Sequence, residues 1–287
     1  MRWKGDPRGS AYGGVHQGAE SFYLVGDVAV ISIPPVRQGE GRRIGEAIIS
    51  SHRNVRTVLN KISKLEGDRR VAEFEVLAGG RTLTCHREYG FSYRLDVSRV
   101  FFNPRLAGER MRVASMIRPG ERAIVPFAGV GPFAIPIAAA GARVLALEIS
   151  PEACRWMAEN AKLNGFSDRI EIVNADAFAF CRALRRRAPE EGETMALLRG
   201  AEAMPPETRF DRAVVPTPYG RDDILGAISP IVKAGGAIHF YTFKKRHQIE
   251  GLIREFEGRG LTVEHHRRCG NVAPGVSRWA FDLRRLE

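Results

Sequence analysis

Phe127-Ala128-Gly129-Val130-Gly131-Pro132-Phe133, followed by Glu148 and Asp176, carry the clearest chemistry in this chain. The first seven residues form a small-residue turn between an apolar strand, Ala123-Ile124-Val125, and a helix that begins near Phe133. Gly129 and Gly131 lack a Cβ, so they can take positive φ and let the backbone approach a ligand. Its carboxylate or phosphate then meets free N–H groups at a helix start. A nucleotide-like cofactor follows from this arrangement. A second strand, Arg143-Val144-Leu145-Ala146-Leu147, ends in Glu148, where such folds place an acid on ribose hydroxyls.

The flanking residues narrow the cofactor. A dinucleotide fold needs a third small residue for close helix–strand packing, and this chain has Phe133 there, which argues against NAD. Asp176, in Asn174-Ala175-Asp176-Ala177 after a third strand, stands where an S-adenosylmethionine enzyme accepts from the adenine amino group. Phe127, Ala128, Gly129, Gly131, Phe133, Glu148 and Asp176 are therefore the candidate cofactor-binding residues. Asp176 also fits a competing role as the cap of a helix starting at Ala177.

The elements that must position these residues alternate regularly after about residue 101. Strands at Ala123–Val125, Arg143–Leu147, Ile170–Val173, Arg212–Val215 and Ala237–Phe243 are separated by helices such as Pro151–Asn164, with Pro at its start. Such alternation predicts a parallel sheet with helices on both faces. Gly235-Gly236 reads as the entry to the fifth strand. Leu261–His265 and Arg278–Leu283 read as a terminal antiparallel pair that finishes this mostly parallel α/β sheet. Before this domain (101–287), residues 21–100 read as a small α+β module with short strands, a helix at Ile44–Ile49 and turns at Gly26-Asp27, Gly67-Asp68, Gly79-Gly80 and Tyr89-Gly90. Residues 1–20 read as a flexible basic arm, and Ala188 to Arg209 as a polar insertion with a short helix.

Composition sets outer bounds. In 287 residues, 44 Lys and Arg against 33 Asp and Glu give a net charge of +11, which suits a polyanionic partner such as RNA. Four cysteines without a Cys-x-x-Cys pair fit reduced thiols in the cytoplasm. The apolar runs are broken by Gly and Pro, so neither a signal peptide nor a membrane span is expected. His86, His239, His265 and His266 have no ligand-like spacing, and no metal is expected.

With those residues in hand, the chain resembles the tRNA guanine-37 N1-methyltransferases of the archaeal and eukaryotic type. The resemblance is carried by Val97-Ser98-Arg99-Val100-Phe101-Phe102-Asn103-Pro104-Arg105-Leu106-Ala107-Gly108-Glu109-Arg110, by Phe127–Phe133, by Glu159-Asn160-Ala161-Lys162-Leu163-Asn164 and by Ile238–Phe243. It covers the chain from about Phe22 to the C-terminus. It implies a class I Rossmann-like methyltransferase fold, with a seven-stranded, mostly parallel α/β sheet, and methyl transfer from S-adenosylmethionine to N1 of the guanosine 3′ of the anticodon, with tRNA as partner, in a cytoplasmic monomer. The sister aminocarboxypropyl transferases of wybutosine synthesis share the architecture and cofactor. Transfer of that group, methylation of a wyosine intermediate, or tRNA binding without catalysis are the alternatives. Many members carry a further N-terminal domain that grips the tRNA elbow; only the short arm precedes the small module here, so that grip is expected to be missing.

Guanine N1 carries a proton at neutral pH, so its methylation needs a base and a positive group for the charge building on O6. The resemblance assigns the base to Glu109 and the oxyanion-stabilising role to Arg70, with Arg69 beside it. The competing readings are a helix-start acid for Glu109 and a solvated charge for Arg70. Substrate contacts are expected from Phe101, Arg105, Pro216, Thr217, Pro218 and Tyr219, the last stacking on a flipped base or serving as a plain turn aromatic. Two positions depart from the family. Val125-Pro126-Phe127 replaces an acidic Asp-Met-Phe pattern, and Pro216-Thr217-Pro218 replaces Asn-Leu-Pro, losing an asparagine amide that proline cannot replace.

Overall fold

A computed structural model describes residues 22–62, 73–185 and 209–286. Arg69, Arg70, the Gly67-Asp68 turn, the arm at 1–20 and the insertion at 188–208 lie outside the described residues. Two compact units divide between Ala107 and Gly108, inside the Asn103–Arg110 stretch.

In the N-terminal unit, β1 (Tyr23–Val25) and β2 (Val28–Ile31) form an antiparallel pair across Gly26, whose φ is +59°. Helix α1 (Gly41–Ser51) then crosses over, so that β3 (Thr57–Lys61) lies parallel to β2 and β4 (Phe74–Ala78) pairs antiparallel with β3. Strand β3 begins at Thr57 and not at Val55, because Val55 N–H closes a turn on His52 O and Arg56 N–H bonds Asp27 O. A separate hairpin, β5 (Leu83–Glu88) and β6 (Phe91–Asp96), turns at Tyr89 and Gly90, both at positive φ. Ala29, Ile31, Ile33, Ile48, Val55, Val58 and Leu77 make the unit's core.

Helix α2 (Ala107–Ser115) leads into the C-terminal unit. Its elements run β7 (Arg122–Pro126), α3 (Ala134–Ala139), β8 (Arg143–Glu148), α4 (Pro151–Leu163), β9 (Ile170–Asn174), α5 (Ala177–Arg185), β10 (Phe210–Val215) and α6 (Ile224–Ile228). They continue with β11 (Val232–Lys244), α7 (Ile249–Glu257), β12 (Leu261–Ala273) and β13 (Val276–Arg285). The seven strands are ordered β12-β13-β11-β10-β7-β8-β9. From β11 to β9 all neighbours are parallel, whereas β13 is antiparallel to both β11 and β12. The buried parallel strands are near-continuous apolar runs, as sheets covered on both faces require. Strand order reverses at β7, so a crevice opens beyond its C-terminal end.

Gly235-Gly236 is not the entry to the fifth strand. The strand begins at Val232 and carries the two glycines as a bulge, its register to β10 jumping from Phe210↔Val232 to Arg212↔Ala237. Gly235, at φ +70°, lets the extra residues loop out while pairing resumes. The terminal pair is also longer than its apolar core suggests, with β12 running to Ala273. All four cysteines are free, and burial is the main force that pushes the Cys154 thiol up to about 11 and Cys181 up to about 12, so both stay protonated. Among the described residues, no helix is long and apolar enough to cross a membrane.

The packing of α1 gives a test with an unusual sign. A Cβ on Gly45 would stand 2.9 Å from Leu77 Cβ and 3.0 Å from Ala78 Cβ, so helix and strand touch at backbone distance. In an exposed helix, Gly→Ala gains up to about 1 kcal/mol. Here Gly45→Ala is expected to lose about 1 kcal/mol or more through overpacking. Urea denaturation read through hydrogen exchange of the α1 amides measures it, and a stabilised variant would show that α1 is free to shift.

Candidate functional site

The glycine turn closes β7 onto β8. Phe127 adopts a positive φ of 54°, rare for an aromatic residue, and Gly129 and Gly131 take +58° and +90°. Ala128 N–H donates to Leu147 O, and Gly131 N–H returns to Ala128 O, each at 3.0 Å. Gly129 N–H donates to Glu148 Oε2 at 2.8 Å and Ser150 N–H to Glu148 Oε1 at 2.9 Å, so the half-buried carboxylate clamps the turn from the end of β8. From α4, Asn160 Nδ2 donates to Val130 O at 3.1 Å.

Asp176 stands beyond β9 as the sequence places it. Its Oδ1 accepts from Ala179 N–H at 2.8 Å, which realises the capping role. Phe178, which the sequence reading does not single out, lies between the Phe127 ring at 6.3 Å and the Arg221 guanidinium at 4.5 Å. A ribose diol and an adenine edge would meet acceptors and aromatic edges here: Glu148 keeps a lone pair on each oxygen beyond its backbone bonds. The residues present therefore fit a nucleoside-bearing cofactor.

A second cluster lies on the same unit. Glu109 sits in the first turn of α2, where an acid favours the helix dipole, but its side chain is only 3 % exposed. Its Oε2 accepts from Arg112 Nε and from Tyr241 Oη, both at 3.1 Å. Oε1 lies against the Arg267 guanidinium and has no hydrogen-bond partner among the described residues. Tyr241 also packs its ring 5.4 Å from that of Phe133, so one β11 side chain joins the glycine turn to the buried acid. Burial is the main force holding its phenol protonated, well above the ordinary tyrosine range.

Behind Glu109 the charges continue. Arg112 grips Asp282 through Nη1 at 2.6 Å and Nη2 at 3.1 Å, and Asp282 Oδ1 accepts from His239 Nδ1 at 2.6 Å. His239 Nε2 faces Arg212 Nη1 at 2.7 Å, and Arg212 closes on Glu121 at 2.8 and 2.9 Å. Burial holds the His239 imidazole below its usual value, with Arg212 and Arg112 adding to this against the Asp282 hydrogen bond. At neutral pH it therefore gives Asp282 an N–H rather than a charge. For Asp282, burial alone would raise the carboxyl, but the bonds from His239 and Arg112 outweigh it and hold the group far below the carboxylate range.

The turn after β10 carries the remaining candidates. Thr217 is buried, with its hydroxyl turned back onto Val215 O at 3.2 Å, while Pro216 and Pro218 fix the flanking backbone. Tyr219 is 69 % exposed, its ring 5.4 Å from Phe243, over which Arg278 lies at 4.8 Å. In the N-terminal unit, Phe101 is half-buried, and Arg105 is exposed with its guanidinium 5.5 Å from the Tyr23 ring. No group of three or more His, Cys, Asp or Glu among the described residues is placed to hold a metal.

Comparison with known proteins matches residues 84–188 to the TRM5/TYW2 methyltransferase domain and residues 14–82 to the TYW2 N-terminal domain. The chain is 36% identical to the tRNA (guanine(37)-N(1))-methyltransferase Trm5b of Pyrococcus abyssi, across 92% of this chain and 74% of that protein. It is 30% identical to the tRNA(Phe) (4-demethylwyosine(37)-C(7)) aminocarboxypropyltransferase of Pyrococcus horikoshii, across 91% and 87%. Among solved structures, aTrm5 in complex with tRNALeu superposes with a TM-score of 0.77 at 28% identity, covering 92% of this chain and 72% of that one. P. horikoshii TYW2 in complex with MeSAdo gives 0.68 at 28% identity, covering 92% and 89%. The chain spans less than half the length of the vertebrate relatives it matches.

The buried chain of charges makes stability pH-dependent with a definite sign. His239 is depressed in the folded protein, so the unfolded chain binds its proton first and stability falls as pH drops through about 6.5. The Asp282 contribution is complete above about pH 4 and is lost below that, as the folded carboxyl is forced to protonate. Denaturant unfolding is expected to show two acid stages, and His239→Gln to remove the upper one alone. An unchanged upper stage in that variant would assign it to another group.

Proposed function

The chain belongs to the TRM5/TYW2 methyltransferase family, and on that premise we propose that it transfers a methyl group from S-adenosylmethionine to N1 of guanosine 37 in tRNA. The observation that carries the reading is Glu109, a buried carboxylate with Oε2 fixed by Arg112 and Tyr241 and Oε1 ion-paired with the partly exposed Arg267. When Arg267, whose side chain is 43% exposed, yields that contact to an incoming base, Oε1 can take up a proton. Guanine N1 must lose its proton as the new bond forms.

The cofactor supplies an electrophilic methyl on a sulfonium. Glu148 and the Phe127–Phe133 turn hold its nucleoside end, with Asp176 Oδ2 and Phe178 at the adenine side. Tyr241, packed on Phe133 and bonded to Glu109, keeps cofactor turn and base at a fixed separation, so catalysis rests mainly on positioning. Tyr219, backed by the half-buried Phe243, offers an exposed aromatic face on which a flipped base can stack. Arg70 is assigned to the charge on O6 by resemblance, and Arg105 and Phe101 to RNA contacts.

A second reading, transfer of the aminocarboxypropyl group from the same cofactor, is favoured by the match of residues 14–82 to the TYW2 N-terminal domain. Labelling separates the two. Cofactor labelled in the methyl or in the carboxypropyl carbons is incubated with the protein and a tRNA transcript carrying guanosine 37. Methyl label alone is expected in the tRNA; carboxypropyl label on a wyosine-type substrate, with no methyl transfer to guanosine, would overturn the first reading.

Under the same assay, Glu109→Gln is expected to reduce kcat by roughly 10²–10⁴-fold while tRNA binding persists. Equal losses in turnover and in binding would count against Glu109 as the base. Tyr219→Ala should raise KM for tRNA and Tyr219→Phe should restore it; if Phe does not restore it, the hydroxyl rather than the ring is at work.

A further inference from the structure

Arg112 is held between two carboxylates, and they use it differently. Asp282 takes both terminal nitrogens in a fork, at 2.6 and 3.1 Å, whereas Glu109 receives only the Nε edge at 3.1 Å. A bidentate pair is the stronger and more directional of the two contacts, so Asp282 rather than Glu109 decides how the guanidinium lies. His239, with Nδ1 at 2.6 Å, fixes Asp282 in turn.

The charge is divided as well as the geometry. If Arg112 faced Glu109 alone, the carboxylate would be stabilised as an anion and would be a poor acceptor of a proton. Asp282 offsets that positive charge from its far side. Other charged and titratable groups surround the pair: Arg110 on α2, His239 and Tyr241 on β11, Arg267, Cys269 and the exposed His265 opposite Asp282 on β12, and Arg278 on β13. None of these takes the Arg112 fork.

We propose that Asp282 is a positioning residue for Glu109: it turns the Nε edge of Arg112 onto Oε2 and offsets the Arg112 charge, so that Glu109 keeps its affinity for a proton. The inference rests on the reading of Glu109 as the base. A purely structural Asp282, holding β13 against α2, would change stability and leave the pH dependence of turnover where it was.

Methyl transfer to the tRNA transcript is measured with the full chain at saturating tRNA, over the pH range in which each variant keeps its melting transition. Asp282→Asn is expected to move the acid limb of the rate profile about one pH unit downward. It should lower the plateau kcat by about tenfold or more, less than complete loss of the base, with KM for tRNA within about twofold of the parent. Asp282→Glu, which restores the charge, should return the acid limb toward the parent. An unmoved acid limb in Asp282→Asn, alongside lost turnover in Glu109→Gln, overturns the role of Asp282 and leaves the base assignment standing. Parental turnover in Glu109→Gln removes the base assignment itself. Should Asp282→Asn fail to fold, Arg112→Lys carries the test. It keeps the charge but cannot serve both carboxylates with a planar fork, and parental kcat in that variant overturns the proposal.

Discussion

A carboxylate buried as deeply as Glu109 must be compensated, and its compensation ties together the half of the catalytic unit that the cofactor turn does not. Its compensation comes from three elements: hydrogen bonds from Arg112 on α2 and Tyr241 on β11, and an ion pair with Arg267 on β12. Asp282 on β13 joins through Arg112. The antiparallel terminal strands are therefore part of the site, since without β12 and β13 the acid would face an uncompensated arginine or none. This is a reason for β12 and β13 to extend well past their apolar core.

The other half of the unit is organised by backbone rather than by charge. Glu148 accepts two backbone N–H groups, and the turn it clamps holds three residues at positive φ, one of them Phe127. Such a conformation costs of order 1–3 kcal/mol for a non-glycine residue and persists only where its surroundings over-determine it. Asn160 and the Ala128–Leu147 bond provide that over-determination. Tyr241 is the joint between the halves, through its ring to Phe133 and its hydroxyl to Glu109. A displacement of β11 would move the buried acid and the glycine turn together.

Local signals revealed the turn, its two glycines, Glu148, Asp176 and the alternating strands, because each is encoded within a few residues by spacing and residue type. The role proposed for Glu109 is legible only through resemblance, since an acid in a first helical turn is common. Arg112, Tyr241, Arg267 and Asp282 carry no signal as a group. They lie on four elements and meet only when the sheet forms, so periodicity along the chain cannot pair them. Asp282 has one faint mark, a lone acid inside the apolar run Phe281-Asp282-Leu283 on a strand with apolar neighbours. The bulge at Gly235-Gly236 was misread as a strand entry for a related reason. Two glycines mark a turn or a bulge equally well, and the choice depends on the partner strand.

The Pro216-Thr217-Pro218 turn changes where selectivity for a base must lie. An asparagine in that place would offer a donor and an acceptor to a base edge; here two residues have no N–H, and the Thr217 hydroxyl is turned onto Val215 O. What the turn presents instead is the exposed ring of Tyr219 backed by Phe243 and Arg278. Stacking is nearly indifferent to base identity, because every base has a π-face. On the proposed reaction, discrimination then falls to the chemistry at Glu109, which needs an acceptor whose ring nitrogen carries a proton to surrender. Guanine N1 and uracil N3 carry that proton, whereas the corresponding ring nitrogens of adenine and cytosine do not, so a site that only stacks its base can still reject those two by the proton it removes.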